Sequence, residues 1–390
     1  MADAWWLAFA LLPVAAWSGW AIAARQYQRG ERRQRNAISS NYFRGLNYLL
    51  NEQPDKAIEV FLKLAEINQD TVETHLALGN LFRRRGEVDK AIRFHRHIMS
   101  RSSLSEHHRT QALRELGEDY MRAGLLDRAE KLYCELAEDE AHSEDAVRNL
   151  LSIYQQEKDW RSAIAQAERL SGITDFDSAT LVAQFKCELA VRAWEQGDAD
   201  GARNLLGESR SINPKCVRSF LLEAQFAAGQ GDWSAAAGAW QAACEQDPDI
   251  AVLVIDNLSR CYAELGREQT LLEWLERLSE RGSTLAPALA YATIRAHDDA
   301  DGAIEFLHER LERRPTARGV SHLLELMREY AGSRDSIEPE LVRRLLSKLL
   351  EGQPRFRCGQ CGFSGHTWHW QCPSCRNWET TRPITGVLGE

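Results

Sequence analysis

A four-residue phrase that returns at a fixed interval constrains this chain more than anything else in it. Asp55-Lys56-Ala57-Ile58 comes back as Asp89-Lys90-Ala91-Ile92, thirty-four residues on. The small residue of the phrase recurs as Ala57, Ala91, Ala129, Ala163, Ala202, Ala236 and Ala303. The one long gap, before Ala303, leaves room for a degenerate copy near Thr270. Two helix backbones can cross closely only where one side chain is tiny, and a bulky neighbour one turn later then fills the gap. Phe61, Tyr133, Leu206 and Trp240, each four residues after an alanine, have that role.

The same register carries the other marks of a paired-helix repeat. Gly45, Gly79 and Gly117 hold the close-packing position of a first helix, and Gly86, Gly124, Gly197 and Gly231 the turn to the second. Pro214, Pro248 and Pro315 end second helices, which proline cannot continue. This period belongs to tetratricopeptide repeats. The fold class expected is therefore all-α, a tetratricopeptide superhelix of about eight to nine helix pairs. It runs over residues 36–351, and residues 320–351 form a last pair or cap. Longer connections at 172–178 and 282–287 are the expected joints.

The two ends differ from this body. Trp5 to Ala24 is a run of twenty residues without a charge, the length a helix needs to cross a bilayer. A cleaved signal would place its basic residues before the apolar run. Here Asp3 precedes it, and Arg25, Arg29, Arg32, Arg33 and Arg35 follow. The positive-inside rule then reads 1–24 as a single-pass transmembrane helix with its N-terminus outside, and 25–35 as a basic juxtamembrane segment on the cytoplasmic side.

At the other end, Cys358-Gly359-Gln360-Cys361 and Cys372-Pro373-Ser374-Cys375 form two C-x-x-C knuckles. Four thiolates so spaced suit one closed tetrahedral metal site, with Cys358, Cys361, Cys372 and Cys375 as ligands. A module of residues 352–390 is too small to fold on apolar burial alone, so the metal supplies its folding energy. Zinc is the expected ion, with iron in a rubredoxin-like site the alternative. Arg376 stands where rubredoxins usually have glycine. Phe356, Phe363, Trp368, Trp370 and Trp378 are expected to pack the module's own core. The other five cysteines are unpatterned, which argues for a reducing compartment and small buried side chains.

Such arrays bind extended segments on the concave face lined by first helices. Repeat geometry points Asn80, Arg83, Arg84, Arg114 and Arg122 into that groove, as a clamp for carboxylates on a bound partner. The formal net charge is −9, and both tails are basic, so the body between them is strongly acidic. That excludes wholesale nucleic-acid binding, which depends on neutralising phosphates. No nucleophile–base pattern, P-loop, dinucleotide glycine motif or H-E-x-x-H is present, and no enzyme is expected.

Three stretches together resemble one family. They are the apolar Leu11-Leu12-Pro13-Val14-Ala15-Ala16, the run from His75 through Arg83 and Gly86 to Arg93, and the tail from Cys358 to Trp378 followed by Arg382-Pro383-Ile384. In this order they are similar to the lipopolysaccharide assembly protein B family, over the whole chain. The resemblance implies a single-pass inner-membrane protein, N-terminus periplasmic, with its bulk in the cytoplasm. It implies a non-enzymatic adaptor that promotes degradation of the LpxC-type deacetylase by the FtsH-type membrane protease. An antagonistic inner-membrane regulator, and other lipopolysaccharide synthesis and export proteins gathered on a scaffold, are the further partners it suggests.

Overall fold

The computed structural model describes scattered residues between 43 and 61, then 72–389 except 102–103, 140–141 and 331–336. The expected anchor at 1–24 and basic segment at 25–35 lie outside the described residues. Among the described residues no helix is long and apolar enough to cross a membrane. The chain forms two compact units, residues 1–157 and 158–390.

The first unit contains α1 (Val72–Arg84), α2 (Val88–Met99), α3 (Glu106–Ala123), α4 (Leu126–Leu136) and α5 (Ser143–Glu157). Consecutive helices pack on each other, with Ala57, Ala91 and Ala129 wholly buried at the crossings. The glycines opposite them are required by space. A Cβ on Gly45 would lie 2.6 Å from the Phe61 ring, and one on Gly117 would lie 2.8 Å from that of Tyr133. In the middle repeat the slot is filled by His95, a residue the apolar pattern did not single out. Its Nδ1 is 2.6 Å from the Asp119 carboxylate and its Nε2 3.3 Å from the Leu76 carbonyl oxygen. The turns Gly86 and Gly124 have φ of 81° and 71°, the left-handed region where a side chain is strained.

The second unit contains α6 (Trp160–Ile173), α7 (Ala179–Glu195), α8 (Ala199–Ile212), α9 (Val217–Gly229), α10 (Trp233–Gln246) and α11 (Ala251–Leu265). It continues with α12 (Glu268–Arg281), α13 (Ala286–Arg295), α14 (Ala300–Arg313), α15 (Ala317–Tyr330) and α16 (Ile337–Leu350). Ala163, Ala202, Ala236 and Ala303 are fully buried, as the period requires. In the degenerate copy, α12, the buried residue at that point is Leu271. Asp159, Asp198, Asp232 and Asp299 each cap the helix that follows, accepting a bond from the backbone N–H three residues on. Pro214, Pro248 and Pro315 fall just past the ends of α8, α10 and α14. On α16 the leucines at 341, 345 and 349 are exposed, so this last helix leaves an apolar stripe uncovered among the described residues.

The C-terminal module is a three-stranded antiparallel sheet of order β2-β1-β3, with β1 Phe356–Cys358, β2 Ser364–Gly365 and β3 Thr381–Pro383. It belongs to the same compact unit as α6–α16.

Gly79 gives the sharpest test of the repeat geometry. A Cβ there would overlap Nε2 of His95, on a ring with no exposed surface. Gly79→Ala should therefore cost about 1–3 kcal/mol through overpacking, read as a lowered thermal midpoint, whereas Gly124→Ala strains only a turn. Equal midpoints for Gly79→Ala and wild type would contradict the close crossing.

Candidate metal centre and its docking face

The two knuckles are built alike, residue for residue. The Cys358 carbonyl accepts from Gly362 N–H at 3.0 Å, and the Cys372 carbonyl from Arg376 N–H at 2.9 Å. Cys358 N–H donates to Phe363 O at 2.7 Å, and Cys372 N–H to Asn377 O at 2.9 Å. Each loop closes on a left-handed residue, Gly362 at φ 78° and Arg376 at φ 59°. Arg376 thus takes the glycine conformation despite carrying a side chain, which costs about 1–2 kcal/mol.

This geometry converges four sulfurs. All lie within 4.8 Å of one another, with Cys361–Cys372 at 3.7 Å and Cys358–Cys375 at 3.8 Å. A tetrahedral ion with metal–sulfur bonds of about 2.3 Å has sulfur–sulfur edges of about 3.8 Å. The residues present fit one metal ion of that class. Cys358 and Cys372 are buried, and Cys361 is exposed. The Thr380 hydroxyl, 3.2 Å from Cys358 Sγ, and the Cys361 amide draw that thiol down to about 6. The Phe363 amide lowers the Cys361 thiol. Both effects favour thiolates at those two cysteines, whereas at Cys375 the Asn377 amide is outweighed by burial and the neighbouring thiols, which push the thiol up to about 11.

The module's aromatics do more than fill its core. Phe356 and Trp368 do pack edge to face, with centroids 5.5 Å apart. Trp378, expected to belong to that core, instead meets the helices. Its ring lies 6.0 Å from that of Trp160 on α6 and 5.8 Å from that of Phe185 on α7, both edge to face. Trp368 and Trp370 pack on the apolar cluster of α9–α12. Between the two surfaces sits Arg218 of α9. Its guanidinium lies 5.7 Å from the Trp370 ring and 5.8 Å from the Trp378 ring, and donates to Glu188 at 2.7 Å and Gln184 at 3.3 Å. Gln184 in turn donates to the Glu379 carboxylate. The tail adds a main-chain tie, Ala317 N–H to Val387 O at 2.7 Å. Sequence reasoning missed Arg218, Gln184 and Glu379. The available signal was an arginine in the otherwise apolar opening of α9, thirty-four residues after Gln184.

The residues expected to line a groove are arranged otherwise. Arg83 is largely covered, and its guanidinium is bound within the protein, 2.6 Å from Glu115, 2.7 Å from Glu118 and 2.9 Å from Asp119. Burial opposes its charge, but the Glu115 and Asp119 bonds outweigh that and raise its pKa. Burial likewise opposes the charge on Glu115, yet Arg83 holds that carboxyl below its usual range. Arg83 is therefore a strut between α1 and α3, already neutralised by three carboxylates. Asn80 bonds the same Glu115, and Arg114 lies 3.5 Å from it. Of the five, Arg84 and Arg122 alone are exposed. Of the five unpatterned cysteines, Cys187, Cys216, Cys244 and Cys261 are buried as expected, and Cys134 is exposed.

Residues 356–383 match the family described as rubredoxin metal binding domain, and residues 187–249 match tetratricopeptide repeat. Lipopolysaccharide assembly protein B of Escherichia coli strain K12 is 36% identical over 98% of this chain and 99% of its own length. The chain belongs to the lipopolysaccharide assembly protein B family. Its Haemophilus influenzae member is 31% identical, over 97% of this chain and 98% of its own. Among solved structures, the crystal structure of MamA protein is 21% identical and covers 47% of this chain and 96% of that one. Its TM-score is 0.32. The paired cysteine knuckles and the helix pairs thus lie in a chain that matches this family end to end.

Glu379 makes the docking face pH-dependent. Burial raises its pKa above the ordinary 4.5, against the opposing pull of Gln184, Arg382 and Arg218. The folded state therefore holds the proton more tightly than the unfolded chain. The associated stability is full below the ordinary carboxylate value and is lost as pH rises through the raised one. Glu379→Gln keeps an acceptor for Gln184 and should unfold at a higher temperature than wild type near pH 7. That advantage should shrink as pH falls through the raised carboxyl value of Glu379. An advantage independent of pH would contradict this assignment.

Proposed function

We propose that this protein is a non-enzymatic adaptor of lipopolysaccharide synthesis, tethered to the inner membrane. A single N-terminal span crosses that membrane, with the N-terminus periplasmic and the bulk of the chain cytoplasmic. The observation that carries this reading is the end-to-end match to lipopolysaccharide assembly protein B, with array and ribbon in one order. In this reading the helix pairs collect the LpxC-type deacetylase and bring it to the FtsH-type membrane protease, and an inner-membrane regulator antagonises the encounter. Tethering raises the effective concentration of the two without demanding tight binding to either. The docked ribbon supports a recognition role, because its Trp368 and Trp370 and the first helices of α9–α12 share one surface. The ion is zinc, which suits a closed four-sulfur site that holds structure. Arg84 and Arg122 remain as exposed cations for an acidic partner segment.

Depleting the protein should lengthen the deacetylase half-life severalfold in a pulse-chase and raise lipopolysaccharide. Complementation with Cys372→Ser should fail, while far-UV circular dichroism of that variant retains most of its helical signal. An unchanged half-life on depletion would overturn the adaptor reading. Co-purification of several synthesis and export enzymes, with none altered in turnover, would favour a scaffold instead. A red-brown protein containing iron would reverse the choice of metal and support an electron carrier.

A further inference from the structure

A cavity of about 230 Å³ lies between the last turns of α12 and α14, away from the ribbon face. Its lining is Ser279, Glu280, Leu285, Arg310, Arg313 and Arg314. Three guanidiniums share it with one carboxylate, a local charge of +2 in a chain whose formal net charge is −9. Two of the three are positioned by the fold. Arg310 lies over the Phe306 ring, 5.1 Å from its centroid, and is 3.2 Å from the Glu280 carboxylate. Arg314 donates to the Gly282 carbonyl oxygen at 2.6 Å, in the connection after α12. A basic last turn complements the helix dipole, yet these two guanidiniums bond across to α12 and its connection rather than to the α14 carbonyls. Arg313 forms no ion pair or hydrogen bond among the described residues. Arg313 and Arg314 are both exposed, so a ligand entering the cavity reaches their N–H groups. Glu280 matches the charge of Arg310, and the other two cations have no anion.

We propose that this cavity binds a phosphate monoester, held by Arg313 and Arg314. The charge selects the ligand. A monoester carries about −1.5 to −2 at pH 7 and presents three strong acceptor oxygens, which matches two guanidiniums without an anion. A carboxylate brings a single charge and two oxygens, and leaves one cation unmatched. The planar forks of the arginines suit phosphate oxygens taken in pairs. The volume is below the about 300–1,000 Å³ of sites that enclose a drug-sized ligand. The cavity therefore takes the phosphate group and leaves the rest of the ester outside. Soluble sugar phosphates and phosphatidic acid share that group, and the walls recognise only what they share. Nothing in this inference depends on the adaptor reading.

Isothermal titration calorimetry tests it on the full-length, metal-loaded protein in phosphatidylcholine nanodiscs, in phosphate-free buffer at constant ionic strength. Glucose 1-phosphate should bind saturably, and acetate should not displace it. Arg313→Gln and Arg314→Gln should each weaken binding about tenfold. Arg313→Lys, which keeps the charge and loses the fork, should weaken it about threefold. Arg313 has no partner to lose, so both of its variants should melt with wild type. Dihexanoyl phosphatidic acid, used below its micellar concentration, separates the two sources. Binding tighter than that of glucose 1-phosphate assigns the site to a lipid headgroup, and weaker or equal binding to a soluble ester. No saturable heat with either ester, or an affinity unchanged in Arg313→Gln, would overturn the inference. So would displacement by acetate at equal concentration, which would assign the cavity to carboxylates.

Discussion

A guanidinium set against two indoles joins the metal module to the helices of its unit. Arg218 reaches Trp370 and Trp378 on one side and Glu188 and Gln184 on the other. Arginine suits the position because its planar cation stacks on rings and donates in a fixed fork, where an ammonium would do neither. Trp378 then reaches Trp160 and Phe185, residues of two successive helices. The ribbon thus contributes to the packing of α6, α7 and α9, beyond following them in sequence.

The metal acquires a second task from this arrangement. It closes the ribbon, and only a closed ribbon presents Trp370, Trp378 and Glu379 together. A metal ion held by the four cysteines would offset the cost of Arg376 in a left-handed conformation and of the buried carboxyl at Glu379. A structural metal in a four-sulfur site contributes on the order of 10 kcal/mol to folding small domains, far more than either penalty. A thiolate lost at the knuckles therefore acts on the helices as well as on the ribbon.

Much of the repeat was legible because its cause is steric and local. Ala57 through Ala303 and the glycines opposite them report how closely two helices cross, and that constraint leaves a fixed spacing. The knuckles were legible for the same reason, since four sulfurs around one ion leave little freedom in spacing. What escaped notice were contacts between repeats. Arg83 seemed a free cation, yet its three carboxylates lie thirty-two to thirty-six residues later, on the equivalent helix of the next repeat. His95 was passed over because a polar ring fits an apolar slot only when Asp119 from the next pair receives it. Comparing equivalent positions one period apart would have found the first, whereas His95 and Asp119 are twenty-four residues apart and share no such register. The docking of Trp378 has no such period, because it joins segments about two hundred residues apart, and nothing in the local pattern distinguished it from a core aromatic.

Through Trp378 the ribbon stabilises α6, α7 and the start of α9, although the helices do not need it to form. Hydrogen exchange on zinc-loaded Trp378→Ala tests it most directly. Removing a buried indole costs about 3–5 kcal/mol, so amides in α6, α7 and the start of α9 should exchange faster by two orders of magnitude or more. Those in α1–α4 should keep their rates, and the four-cysteine site should retain its metal. Unchanged protection in α6, α7 and α9 would contradict the claim and leave the ribbon a separate appendage.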